Sequence, residues 1–182
     1  MRKEDVTIYS GGHRGAEAAF GEAAEKWGVA EVTYSFAGHK VARSVNVQNL
    51  SDEELARGDI SMELASRLMN RTYYEKKRIR KVLQLIFHMV NSGHQVFAVG
   101  NILPDNTVKG GTGWAVELAR LFNRPVHVYD QEKLGWFTWQ QGGWQADSPA
   151  IKYDTICASG TRNLSPEGRA AIDELFSAAF GN

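Results

Sequence analysis

The sequence has a single cysteine, Cys157, among its 182 residues, which excludes an intrachain disulfide framework and any zinc centre built from several thiolates. Net charge is absent as well. The 21 basic and 21 acidic residues cancel, so nothing in the overall field draws in nucleic acid or an anionic membrane, and any polyanion site must be local. Nucleic acid is therefore not expected as a partner. Weak colloidal repulsion leaves homodimerisation open. No apolar run is long enough to cross a bilayer, and Met1 to Asp5 lead into a strand-like run without the apolar stretch of a signal peptide. This composition predicts a soluble, cytoplasmic protein. Repeats, low-complexity tracts and linkers are also missing, and 43% hydrophobic residues in a chain of this size suit one substantial core. The expectation is a single domain over residues 1–182.

Glycine is what the sequence does have. Ser10-Gly11-Gly12-His13-Arg14-Gly15 and Gly110-Gly111-Thr112-Gly113-Trp114-Ala115-Val116-Glu117 each follow an apolar strand-like run and open an alanine-rich helical run. Glycines at such a junction let backbone N–H groups converge on an anion at the positive end of a helix. Two such turns in one domain suggest a nucleotide.

Periodicity predicts strands at Val6–Tyr9, Glu31–Phe36, Gln95–Val99, Val126–Asp130 and Thr155–Ala158, with helices from Ala16, Ser51, Tyr73, Trp114 and Ser165. The Ser51 helix should run to about Met69, and the Tyr73 helix, basic in its first half and apolar in its second, to about Val90. Ala37 to Leu50 reads as a long loop carrying Gly38, His39, Lys40 and Arg43. Gly135 to Gln145 reads as an aromatic hairpin with Gly142-Gly143 at its turn. Alternating strands and helices imply an α/β fold, a Rossmann-like and largely parallel sheet flanked by helices.

The candidate ligand-binding residues are Ser10, Gly11, Gly12, His13, Arg14 and Gly15 in the first turn, and Gly110, Gly111, Thr112 and Gly113 in the second. Backbone amides would hold phosphate, with His13 or Arg14 adding charge; the plainer alternative is a tight strand-to-helix turn. Asn101, just past a strand, and Arg162, in a third turn Ser159-Gly160-Thr161-Arg162, are further candidates. Glu117 is either a catalytic carboxylate for glycosidic chemistry or an ordinary first-turn residue stabilised by the helix dipole. Trp136, Trp139 and Trp144 form an aromatic wall over a base or cover a sheet edge or dimer contact. His13 and His39 lack helical ligand spacing, so no metal is expected, and no cofactor is called for.

The second turn resembles the PGGxGTxxE signature of the SLOG superfamily, which includes cytokinin-activating phosphoribohydrolases, DprA DNA-processing proteins and sensors of ADP-ribose-derived signals. The first turn is similar to that family's first phosphate loop. The nearer likeness is to the branch labelled molybdenum carrier and to phage and bacterial relatives, in which a similar turn precedes a helix and a strand ending in Asp, as at Asp130. The likeness spans Val6 to Asp130, and Gly160-Thr161-Arg162 is similar only to phage-type members. It implies a Rossmann-like domain that binds a nucleotide or a nucleoside-diphosphate-ribose ligand. Two alternatives come with it: a phosphoribohydrolase acting on a nucleoside monophosphate through Glu117, and a DprA-like DNA-processing accessory. The chain departs from the hydrolases by carrying Trp114 for threonine, Lys109 for proline, and Leu83-Gln84-Leu85-Ile86-Phe87 where they place an Arg-Lys pair. Arg78, Arg80 and Lys81 lie earlier. In those enzymes the arginine partners the motif glutamate, so the resemblance implies binding more directly than hydrolysis.

Overall fold

The computed structural model describes residues 1–181. Its strands are β1 (Thr7–Ser10), β2 (Ala30–Ser35), β3 (Val47–Asn49), β4 (Gln95–Gly100), β5 (Val126–Asp130), β6 (Gly135–Gln140), β7 (Gly143–Asp147) and β8 (Thr155–Gly160). The helices are α1 (Ala16–Trp27), α2 (Asp52–Ala56), α3 (Asp59–Met69), α4 (Lys77–Ser92), α5 (Thr112–Leu121) and α6 (Pro166–Phe180). All eight strands form one sheet in the order β3-β2-β1-β8-β4-β5-β6-β7. Pairing is parallel from β3 through to β5 and antiparallel at β6 and β7, as expected for an α/β fold ending in an aromatic hairpin.

Local chemistry accounts for the elements. In α1, Ala16, Ala19, Phe20, Ala23 and Ala24 repeat at helical spacing and are all buried, and left-handed Gly28 ends the helix. Ser51 and Glu54 close a reciprocal capping box at the start of α2. Ser165 accepts the Gly168 N–H, and Pro166 takes the first position of α6.

Four boundaries differ from the sequence reading. The long loop contains β3, whose three residues are exposed and pair with β2 through backbone alone, so no apolar pattern announces it. The helix expected from Ser51 to Met69 breaks at Arg57-Gly58 into α2 and α3. A Cβ on Gly58 would lie 2.7 Å from Phe87 Cβ, so the break lets the backbone seat against α4. Helix α4 starts at Lys77 rather than near Tyr73, because no side chain caps it and Tyr73 is held outside by a hydroxyl bond to Asp59 with Arg80 over its ring. The hairpin turn is Gln141-Gly142, both at positive φ, and Gly143 already belongs to β7.

Two cores sandwich the sheet. One face carries α1 and α6 through Ile8, Phe20, Phe97, Ile156 and Phe176; the other carries α2 to α5 through Leu55, Leu85, Met89, Leu118 and Val128. Cys157 is completely buried in β8, and burial pushes its thiol well above the ordinary range, so it packs as an inert side chain. At the amino end of the sheet, Thr138 donates to Asp147 at 2.7 Å and its Oγ1 lies 2.6 Å from His127 Nδ1. The Gln95 side-chain amide lies 2.9 Å from His127 Nε2, so the imidazole is satisfied in its neutral form.

Burial holds His127 and His39 down at about 4, against 6.5 for a free histidine. As pH falls, the unfolded chain therefore takes up protons first. Stability contributed by these two histidines is complete above about 6.5 and is lost on acidification toward 4. Thermal melts between pH 7 and pH 4.5 are expected to show a falling midpoint, with a shallower fall in His127→Asn.

Candidate functional site

Parallel pairing brings the ends of β1, β2, β4, β5 and β8 to one edge, at Ser10, Ser35, Gly100, Asp130 and Gly160. The loops leaving these residues converge there, where open α/β sheets bind ligands. Buried Asp130 pins two of them, accepting the Ile102 N–H at 2.8 Å on one oxygen and the Glu132 and Lys133 N–H groups at 2.9 Å on the other.

The first glycine turn satisfies the amides of Gly11, Gly12 and His13 internally. Glu17, one position into α1, turns its carboxylate back so that Oε2 accepts the Gly11 and His13 N–H groups, each at 3.1 Å, and faces His13 Nδ1 at 3.0 Å. Gly12 N–H donates to Ser10 Oγ at 3.2 Å. The glycines serve close backbone approach. A Cβ on Gly15, whose φ is +88°, would lie 2.4 Å from the Thr161 carbonyl oxygen, and one on Gly12 would lie 2.2 Å from that of Arg43. The Gly12 carbonyl in turn accepts the Ala42 and Arg43 N–H groups. Beyond them Arg43 is anchored by Glu31 and Glu25, so the segment after β2 is strapped across the turn.

The second turn is open. Among the described residues no acceptor takes the N–H of Gly110, Gly111 or Thr112, and nothing lies within 4 Å of a Cβ placed on Gly110 or Gly111. Its shape is set from behind by Arg71, which donates to the Gly110 carbonyl at 3.1 Å, the Val108 carbonyl at 2.7 Å and Thr107 Oγ1 at 3.1 Å. Gly113 packs against this bracket rather than facing the opening.

Two adjoining cavities meet between the turns. The larger, about 1030 Å³, has an apolar floor of Val41, Ile79, Val82, Leu83 and Trp114. The smaller, about 490 Å³, is lined by Asn101, the second turn and Ser159 to Asn163. His13, Val82, Gly110, Gly111 and Arg162 line both and mark the junction. Arg14, Lys40, Arg78, Lys109 and Arg162 surround the space without a carboxylate partner among the described residues. Glu17 is the one carboxylate in the lining, and its Oε2 is already engaged. A protein with no net charge has thus concentrated positive charge in a single crevice.

No family model, curated protein or solved structure matches the chain.

The crevice gathers some of the residues singled out in the sequence and leaves others behind. His13, Arg14, Asn101, Gly110, Gly111, Thr112 and Arg162 line it, whereas Ser10, Gly11, Gly12, Gly15 and Gly113 lie in the supporting backbone. Glu117 lines neither cavity. It is buried on α5 with Arg120 at 3.0 Å, and the Arg120 guanidinium stacks 3.7 Å from the Trp139 ring centre. Burial raises the Glu117 carboxyl above its ordinary range, with Arg120 opposing. Trp136, Trp139 and Trp144 also stay outside, on the hairpin's packing faces.

Sequence reasoning did not bring out Glu17, Arg71 or the approach of His39 to His13. The two imidazole Nε2 atoms lie 2.9 Å apart across 26 residues, and no local spacing encodes that contact. Glu17 had a visible signal, a carboxylate four residues after a histidine at a helix start.

Gly15→Ala is expected to lower unfolding free energy by about 2–4 kcal/mol in chemical denaturation, because it adds a clash to a disfavoured φ. Glu117→Gln breaks the pair with Arg120 and leaves a buried amide, so it is expected to lower the melting midpoint in thermal denaturation.

Proposed function

We propose that this protein binds a nucleotide or nucleoside-diphosphate-ribose ligand at the carboxyl edge of its sheet. The observation that carries the reading is the open second turn. Three unpartnered amides at the start of α5, those of Gly110, Gly111 and Thr112, belong to residues that line a cavity ringed by cations, and Glu17 is the one carboxylate in that lining. Such amides and arginines suit a phosphate, through charge-assisted hydrogen bonds and the helix dipole. The apolar floor of the larger cavity suits a flat base, with Tyr74 and Trp114 among its walls. In this reading the first turn is the frame of the site, and the second turn with Arg14, Lys109 and Arg162 is its phosphate-contacting part.

The glycosidase alternative resting on Glu117 draws no support from the position of that residue. The DNA-processing alternative needs an extended basic surface, whereas Arg14, Lys40, Arg78, Lys109 and Arg162 gather round a recess.

Titration with AMP, ADP, ATP and ADP-ribose tests the reading. Binding of at least one should raise the melting midpoint. Gly111→Glu places a carboxylate in open space beside the free amides, so it is expected to weaken that binding at least about tenfold while leaving the midpoint of the free protein nearly unchanged. Equal affinity in Gly111→Glu would remove the second turn from the site.

A further inference from the structure

The junction of the two cavities holds a feature that binding alone does not use. His13 sits there between a buried carboxylate and a second imidazole. With its proton on Nδ1, His13 donates to Glu17 Oε2 at 3.0 Å, which leaves Nε2 as the basic nitrogen. Two backbone N–H bonds to the same oxygen hold the carboxylate rigidly, so the imidazole plane is fixed from behind. His39 fills the space in front. Its Nε2 lies 2.9 Å from His13 Nε2, and its Nδ1 lies 3.2 Å from Ser35 Oγ. One proton arrangement satisfies the whole row: His13 donates to Glu17, His39 donates to His13, and Ser35 donates to His39.

The geometry points to His13 as a general base, positioned by Glu17, for hydrolysis of a phosphoanhydride bond in the ligand proposed above. This step rests on that binding reading. A ligand with its base on the apolar floor and its terminal phosphate at the second turn crosses the junction with its phosphate chain, so phosphorus is the electrophile nearest His13. Water takes the place of the His39 N–H. His13 Nε2 removes a proton from it as the new P–O bond forms. The bridging P–O bond breaks, and its electron pair stays on the departing phosphate oxygen. The proton then passes from His13 to solvent, and no oxidant or reductant takes part.

The leaving group decides for the anhydride over an ester. An alkoxide needs a proton as it leaves, and Glu17, the carboxyl group of the lining, is engaged as an acceptor, so the only protons at hand are those of the strongly basic Lys40 and Lys109 ammonium groups. A phosphate needs none, and Arg14, Lys109 and Arg162 supply the charge to stabilise it. His39 stays neutral at physiological pH, since burial and the neighbouring His13 hold it at about 4, so it blocks His13 by hydrogen bonding without adding a charge.

The test is incubation of the whole chain with ATP, ADP and ADP-ribose, with products followed by mass spectrometry alongside calorimetric binding. Wild-type protein is expected to cleave at least one of them. His13→Asn keeps a donor for Glu17 and lacks Nε2, so it should bind with wild-type affinity and lose about 100-fold or more in kcat. Glu17→Gln should lower kcat with KM held, a split that general loosening of the turn would not produce. Binding without cleavage, or full turnover by His13→Asn, overturns the catalytic assignment and leaves the binding reading standing. Turnover lost in His39→Ala but kept in His13→Asn transfers the base to His39 and also overturns it. Absence of any binding removes both readings together.

Discussion

The candidate site depends on where the negative charge of Glu17 goes. A carboxylate with almost no exposure must find donors, and it finds them in the amides of the turn that precedes its own helix. That choice folds Gly11 to Gly15 into a closed loop, sets His13 beside the carboxylate, and leaves the Gly12 carbonyl to receive the strap at Ala42 and Arg43. The result is a division of labour between two turns of similar composition. One turns the amides of Gly11, Gly12 and His13 inward to the fold. The other, bracketed from behind by Arg71, keeps those of Gly110, Gly111 and Thr112 free.

Charge distribution follows the same logic. Many of the protein's ion pairs sit on outer helix surfaces or at the strap, such as Arg43 with Glu31, Arg80 with Asp59 and Arg169 with Glu22. Arg14, Lys40, Arg78, Lys109 and Arg162 at the crevice have no carboxylate partner among the described residues. Overall neutrality therefore conceals a local imbalance. The basic half of α4 divides in the same way: Arg80 and Lys81 turn to Asp59 and Asp52, while Arg78 faces the larger cavity.

Much of this was legible in the sequence wherever the signal was local. Alternation of apolar strands with amphipathic helices gave the fold class, and capping residues such as Ser51 and Ser165 marked helix starts to the residue. Glycine spacing identified both turns but not their different fates, because a glycine needed for close packing and one needed for an open cradle read alike. Gly12 and Gly110 both have positive φ, yet a side chain on the first would strike Arg43 and one on the second would meet nothing. The surroundings of Glu117 were hidden for the complementary reason. Its place five residues into α5 gives no sign that Arg120, one turn further on, pairs with it beside Trp139 and the hairpin. Contacts that join distant segments, such as His13 with His39 or Arg71 with the second turn, exist only once the sheet has brought its loops to one edge.

The position of β8 bears on how the chain reaches this state. It follows every other strand in sequence yet lies at the middle of the sheet, pairing with β1 on one side and β4 on the other. Without it, the β1–β3 half and the β4–β7 half share no ladder. About 145 residues separate β1 from this partner, so joining the halves closes a long loop, the kind of non-local pairing that slows folding. The two glycine turns stand on opposite halves. The crevice between them is thus assembled by the same step that completes the sheet, and a chain halted before that step carries both turns but no site.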